Sequence, residues 1–383
     1  MNPEAGPRDR LVELAARSVD RVTRAGARGN EIDPSSVARI LVIKPCCLGD
    51  LLMATPALRA LKKSFPSASI HVMTTEWCDP ALARNPNVTA TFRYPDRMTV
   101  ARYLVLARRL KERRYDIGIA LDRSPLVNGL LRLAGIPIRA GINSAGRGIG
   151  LTHRVPPNPE MHESELYLSV VGTVGAKADT LVPEFHPSES ARAHARELIA
   201  GSSPPRVVIH PGGAVNPGAR MLSKRWPAIM FGELASNLIH QYQADIYVIG
   251  ADSDRDAVQT TVDFTDGPVA NLSRRLSLDE TGALCEYADL YIGNDSGMSH
   301  LAAAVGTPTI TIFGPTDPNL YRPLGPRSIV CAPDGPAHAR RPRDLRGAHL
   351  SDSPDVDIST VSVEAVMQAC ADILGPPRDG QNR

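Results

Sequence analysis

The residues able to do chemistry in this chain gather in polar, glycine-marked loops, each following an apolar run that reads as a buried strand. The densest is Gly293-Asn-Asp-Ser-Gly297, after the run Ala288–Ile292. A helix pattern opens at once over Met298–Val305, and a second apolar run, Thr309–Phe313, ends in Gly314-Pro-Thr-Asp-Pro318. In an open parallel sheet, ligands sit outside the carboxyl ends of the strands. A helix N-terminus there offers unpaired N–H groups and partial positive charge, which suits a diphosphate. Asp295, Ser296 and His300 lie in or beside this loop. His300 follows Ser296 by one helical turn, on the same face; a buried structural histidine is the competing reading.

Three further loops have the same character. Lys44-Pro-Cys-Cys-Leu-Gly49-Asp50 follows Ile40–Ile43. It lacks G-x-G-x-x-G, so it is a poor dinucleotide site. Gly49 permits a tight turn, and Asp50 is either a helix cap, worth about 1 kcal/mol, or a general base. His210-Pro-Gly212-Gly213 ends Arg206–Ile209, which reads as a buried strand, and its glycines let backbone approach a ligand closely. Lys224 and Arg225 precede a helix beginning near Pro227. Two cations there oppose the helix dipole unless an anion lies between them; the alternative is a pair of solvated cations. Asp252, in Gly250-Ala-Asp-Ser-Asp254, can accept hydrogen bonds from ribose hydroxyls or cap a helix. No histidines pair at ligand spacing, so no metal site and no cofactor are expected.

The elements that must position these loops follow from periodicity. At 383 residues, two domains are expected. Strands are predicted at 40–43, 70–73, 90–94, 117–121 and from 139, with helices at 50–64, 99–114, 128–134 and 161–174. The plan restarts after a helix at 188–200, with strand 206–209, helix 227–240 and strand 245–249. Residues 155–160 read as a proline-rich loop, 331–356 as irregular and 362–374 as a last helix. Alternating strands and helices argue for α/β units with doubly wound parallel sheets. The expected division is an N-terminal helical extension (1–38), two Rossmann-like domains (39–185 and 186–360) facing one another across a cleft, and a helix and tail (361–383). In the extension, Leu11, Leu14, Ala15, Val19 and Val22 share a face while arginines fall mostly elsewhere. That helix either packs on the first domain or lies on an anionic membrane.

Composition excludes several classes. A net charge of +2 gives no global electrostatic case for nucleic acid. No apolar run approaches the roughly 18 residues that span a bilayer, and no secretory signal is visible. The cysteines (Cys46, Cys47, Cys78, Cys285, Cys331 and Cys370) form no C-x-x-C pair, so neither a zinc site nor a disulfide framework is expected. A reducing cytoplasm fits best.

Four blocks in this order resemble glycosyltransferase family 9, the ADP-heptose heptosyltransferases: ILVIKPCCLGDLLMATPALRALKKSFP, VVIHPGGAVNPGARMLSKRWP, VIGADSD and GNDSGMSHLAAAVGTPTITIFGPTDP. The resemblance spans about Arg39 to Leu324. It implies a GT-B fold and inverting, metal-independent sugar transfer from an ADP-sugar to a glycan or glycolipid acceptor, such as a lipopolysaccharide core sugar. It implies a cytoplasmic enzyme, with peripheral association at the inner membrane left open. Position by position, it implies Asp50 as the catalytic base, Lys44 as the basic residue of the first loop and Lys224 as a donor-phosphate contact. It implies Asp252 near the adenosine ribose. Asp295, Ser296, Gly297 and Met298 would surround the diphosphate and sugar, with His300 one turn on. Base and phosphate clamp would lie on different domains, so closure would assemble the site. Cys46-Cys47 stands where small polar residues are usual, the second-domain loop is longer, and the tail after Cys331 lacks the family's cysteine-rich segment. Arg139 and Arg147 are candidate contacts to an anionic acceptor, with Arg340, Arg341, Arg343 and Arg346 equally open to it or to solvent. Two other functions share the motifs: a nucleotide-sugar epimerase of GT-B architecture and a catalytically silent sugar-nucleotide binding module.

Overall fold

The computed structural model describes residues 32–158, 160–216, 219–333 and 356–377. The N-terminal helix expected over 8–25 and the arginines from Arg340 to Arg346 lie outside the described residues. The described chain divides into two compact units: one holds residues up to Cys46 and Ala54–Leu181, the other Cys47–Met53 and the residues from Val182 onward.

In the first unit, β1 (Arg39–Ile43), β2 (Ser69–Thr74), β3 (Ala90–Arg93), β4 (Ile117–Ala120), β5 (Ile138–Ile142) and β6 (His153–Val155) form one sheet in the order β3-β2-β1-β4-β5-β6. Every pairing is parallel. β1 and β4 are apolar throughout their centres because both faces of a parallel sheet are covered. β6 is not among the expected strands, and only its last residue, Val155, falls in the expected proline-rich loop: it is three residues long and runs straight into Pro156-Pro157, so it carries almost no periodic signal. The helix expected over 50–64 is two helices, Leu48–Met53 and Thr55–Ser64. The break falls at Ala54, where Pro56 in the first turn of the second helix has no N–H to continue the first.

In the second unit, β7 (Arg206–His210), a short hairpin of β8 (Val215–Asn216) and β9 (Ala219–Arg220), β10 (Asp245–Val248), β11 (Val269–Asn271), β12 (Leu290–Asn294), β13 (Thr309–Ile312) and β14 (Ser328–Cys331) follow in turn. The main sheet runs β11-β10-β7-β12-β13-β14, the order of the first sheet repeated. Side chains alternate across it with period two. Val207, Ile209, Ile246, Val248, Ile292 and Ile310 bury with Phe231, Leu234 and Leu238 of helix Ala228–Tyr242 and Val366 and Cys370 of helix Val363–Leu374. Val208, Tyr247 and Tyr291 bury on the opposite face with Leu284 and Ala302. These last belong to helices Leu278–Glu286 and Gly297–Ala304.

Candidate active site

The register of the second sheet sets four loop starts at one edge. Gly293 of β12 pairs with His210 of β7, Val248 of β10 with Ile209, and Asn294 with Ile312 of β13. The loops after these strands carry most of the residues predicted from sequence, and two buried charge clusters tie them together.

Asp254 is the centre of the first. Its carboxylate accepts from the Gly213 and Ala251 N–H groups, each at 3.0 Å, and from the Arg225 guanidinium at 2.6 Å. His210 Nε2 lies 3.3 Å away. Burial acts to raise this carboxyl, but the hydrogen bond and charge of His210, with the two amides, outweigh it and hold the group well below the usual carboxylate range. Gly212 is required here: a Cβ on it would come within 2.2 Å of the Asp254 carboxyl carbon. Gly213 adopts φ +91°, and a Cβ there would meet that of Ser296 at 2.6 Å, so the His210 loop abuts the Ser296 loop. The Nδ1 atom of buried His210 has no partner among the described residues.

Lys224 and Asp295 form the second cluster, 2.5 Å apart. The Thr316 hydroxyl also donates to the Asp295 carboxylate. Asp295 is 5% exposed and Lys224 14%, so the ammonium keeps an edge to solvent. A lysine has three donors, and Asp295 takes one. Between the clusters stands Asn294, fully buried. It accepts from the Trp226 N–H at 2.9 Å and donates to the carbonyls of Pro211 and Gly212, each at 3.0 Å. Trp226 is buried, and its indole donates to the Val361 carbonyl at 2.8 Å. Lys224 and Arg225 are thereby pinned by the residue that follows them. They are not solvated surface cations.

Sequence reasoning missed Asp254, Asn294, Thr316 and Trp226. Asp252, preferred over Asp254 as the functional acid, is mostly exposed and pairs with Arg274 at 2.5 Å. The two carboxylates of Asp252-Ser-Asp254 thus take different partners, and among the described residues no three His, Cys, Asp or Glu side chains gather as a metal-holding group.

The first loop differs from expectation in three ways. Cys46 and Cys47 are disulfide-bonded, while the other four cysteines are free, so the adjacent pair is joined. Sequence offered no sign of this, because spacing rules address separated cysteines. Residues 47–53, expected with the first domain, pack within the second unit. Gly49 lies inside a helix and makes no turn. Its bare Cα serves close packing, since a Cβ there would lie 2.8 Å from His300 Cδ2. Gly297 faces the same helix, with Leu48 3.1 Å from where its Cβ would be. His300 is accordingly buried. Asp50 Oδ2 accepts from the Cys47 N–H at 3.2 Å, the geometry of a residue securing a helix start.

Lys44 ends β1 in the first unit, buried, with its ammonium 5.6 Å from the Tyr167 ring centroid. Arg139 spends its guanidinium on the carbonyls of Ile136, Pro137 and Gly150. Arg147 is half-buried, and its carbonyl accepts from Asn128 at 3.1 Å. Met298 packs against the core cluster that holds Tyr291 and Ala302.

Residues 103–345 match the model of the family described as glycosyltransferase family 9 (heptosyltransferase). Lipopolysaccharide heptosyltransferase 3 of Escherichia coli is 30% identical over 331 residues, 81% of this chain and 94% of that protein. Lipopolysaccharide heptosyltransferase 2 of Escherichia coli is 29% identical over 311 residues, 76% of this chain and 87% of that protein. Among solved structures, the Escherichia coli ADP-heptose lps heptosyltransferase II superposes with a TM-score of 0.70 at 25% identity, covering 88% of this chain and 98% of that one. A family 9 glycosyl transferase from Veillonella parvula superposes at 0.74 with 22% identity, covering 90% and 99%. The two parallel-sheet α/β units are those of this GT-B fold.

Proposed function

Since the chain belongs to glycosyltransferase family 9, the heptosyltransferases, we propose that it moves a heptose from an ADP-heptose donor to a hydroxyl of a lipopolysaccharide-type core glycan, with inversion and without a metal ion. The observation that carries the donor side is Lys224, held by buried Asp295 next to the start of helix Gly297–Ala304. A cation fixed before substrate arrives costs little reorganisation when a diphosphate leaves. The N–H groups of Ser296, Gly297 and Met298 and the dipole of that helix add partial positive charge. His210 Nδ1, Gly212 and Lys44 complete the proposed donor contacts, and Asp252 the ribose contact.

Asp50 is the proposed base. It takes the proton of the acceptor hydroxyl as that oxygen attacks the anomeric carbon from the face opposite the diphosphate. The C–O bond to the diphosphate breaks as the new glycosidic bond forms, and ADP departs with the electron pair. Gly49 packs on His300, so the Asp50 helix lies against helix Gly297–Ala304; in the proposed mechanism both halves of the reaction are served within the second unit. Arg147 remains a proposed acceptor contact; Arg139, with its guanidinium engaged by three carbonyls, is a weaker one. The proposed place of work is the cytoplasm, at the cytoplasmic face of the inner membrane, a reading supported by the lipopolysaccharide in the names of the relatives. No helix among the described residues is long and apolar enough to cross a membrane.

The test is calorimetric titration with ADP, UDP and GDP and their sugars, followed by transfer assays after exhaustive EDTA treatment. Tightest binding of ADP-heptose and undiminished turnover in EDTA are expected. Tighter binding of UDP or GDP overturns the donor, and loss of activity restored by Mg²⁺ or Mn²⁺ overturns the metal-free mechanism.

A further inference from the structure

Helix Val100–Glu112 in the first unit is amphipathic in an unusual way. Its inner face is Tyr103, Ala107 and Leu110. Its outer face changes character along the axis: Val100, Ala101, Leu104 and Val105 first, then Arg108, Arg109 and Lys111, all exposed. Val100 is 79% exposed, Leu104 54% and Val105 51%. Helix Pro125–Leu133 packs beside it. The Tyr103 hydroxyl donates to the Leu126 carbonyl at 2.8 Å, and a Cβ on Gly129 would lie 2.9 Å from that hydroxyl. Leu126 and Leu133, one face of this second helix, are 52% and 48% exposed. Five of the nine large apolar side chains exposed among the described residues therefore lie on two adjoining helices.

The charge around them is one-sided. Residues 96–133 hold nine Lys and Arg against four Asp and Glu, while the whole chain nets only +2. Two of those acids are matched locally, Asp96 by Arg93 at 2.7 Å and Glu112 by Arg108 at 3.2 Å. Arg97, Arg102, Arg109, Lys111, Arg114 and Arg132 are exposed around the apolar face. Apolar side chains ringed by cations match the two layers of an anionic bilayer surface, acyl boundary below and phosphates above.

We propose that the outer faces of helices 100–112 and 125–133 dock this protein on an anionic lipid surface, with Val100, Leu104, Val105, Leu126 and Leu133 entering the headgroup boundary and the flanking cations meeting lipid phosphates. The proposal rests on the membrane-face part of the functional reading and is independent of the donor assignment.

The experiment is flotation of the full chain with phosphatidylglycerol-containing vesicles and with phosphatidylcholine vesicles, at low and high salt, without donor. Binding to the anionic vesicles alone, weakened by salt, is expected. Leu104→Asp with Val105→Asp, and separately Arg109→Glu with Lys111→Glu, are each expected to lower partitioning at least about tenfold, because both terms of interfacial binding scale with apolar area and basic charge. These side chains are exposed, so circular dichroism and melting should match the unaltered protein. Failure of the unaltered chain to bind anionic vesicles overturns the membrane-face reading itself. Undiminished binding by both variants overturns the surface assignment, as does loss of binding only in Arg17→Glu with Arg21→Glu, two arginines of the N-terminal extension for which a membrane-lying helix is the alternative reading. Self-association abolished by Leu104→Asp, with no lipid binding, assigns the face to a second copy of the chain and also overturns the proposal.

Discussion

The two units repeat one strand order, yet they spend their charges differently. In the second unit the loops after β7, β10, β12 and β13 are knitted by contacts to two buried carboxylates: Asp254 with His210 and Arg225, and Asp295 with Lys224. In the first unit Lys44 lies over Tyr167, and Arg123 pairs with buried Glu163 at the start of helix Glu163–Gly172. The first unit instead presents apolar and cationic side chains outward from helices 100–112 and 125–133. A shared topology thus fixes where loops emerge, and the side chains decide what each unit handles. Burying charge costs desolvation that pairing only partly offsets. A unit that buries several charges at one sheet edge is committed to a fixed electrostatic frame there, as a diphosphate site requires.

The largest expected effect comes from Asp50, the residue that links the first loop to that frame. Asp50→Asn keeps an oxygen able to accept from the Cys47 N–H, so the helix start and melting temperature should change little. It removes the proton acceptor. Transfer should fall by roughly 10²–10⁴-fold with donor affinity near normal. A mutant that melts lower and still transfers sugar at a near-normal rate would return Asp50 to a capping role.

Asp254→Ala breaks the frame of the second unit from within. Removing one member of a buried ion pair costs about 3–5 kcal/mol, here read as a lower thermal midpoint for the second unit's transition. The pH dependence has a definite sign. The folded carboxyl lies below its unfolded value of about 3.9. Its stabilisation is therefore complete above that pH and is lost as pH falls further toward the folded value. Melts of the unaltered protein should drop in midpoint below about pH 4, and those of the variant should be flatter there. Parallel curves would show that another group governs acid stability.

Lys224→Ala tests whether the second cluster faces a ligand. Charge-assisted contacts contribute about 1.5–3 kcal/mol, so donor binding and kcat/KM should each fall by roughly 10- to 150-fold. The variant also leaves buried Asp295 without its cation. Lys224→Ala combined with Asp295→Asn should regain stability without regaining donor affinity. Recovery of both would make the pair structural only.

How much of this was legible in the sequence differs between backbone and side chains. Strands such as Ile117–Ala120 and Thr309–Ile312 are buried throughout, and the runs 117–121 and 309–313 match them to within a residue. Short or weakly periodic elements were not: β6 is three residues before a proline pair, and β14, Ser328–Cys331, lies in a polar surround. The helix over 55–64 was found but joined to its neighbour, because Pro56 is tolerated in a first turn and so hides a boundary. At the site, the loops were found and their internal partners were not. Asn294 reads as one more polar loop residue, yet it bonds to Trp226 across 68 positions of sequence. Pairing at that range leaves no local periodicity to detect.

Asp252 and Asp254 show the same limit at close range, and they frame the smallest expected effect. The two acids stand two residues apart in one short helical turn, Asp252–Asp254. That turn sends Asp254 inward to Arg225 and leaves Asp252 outside with Arg274. A solvent-exposed ion pair contributes about 0–1 kcal/mol, so Asp252→Ala should hardly move the melting temperature, in contrast to Asp254→Ala. Any larger effect must appear with ligand present. If Asp252 accepts from the donor ribose, ADP binding should weaken about tenfold, near the lower end for a charged hydrogen bond. A 2′,3′-dideoxyribose analogue of ADP, which has no hydroxyl to offer, should bind the variant and the unaltered protein equally. If ADP binds both proteins alike, Asp252 is a surface partner of Arg274, and the acidic residue that matters in this loop is the buried one.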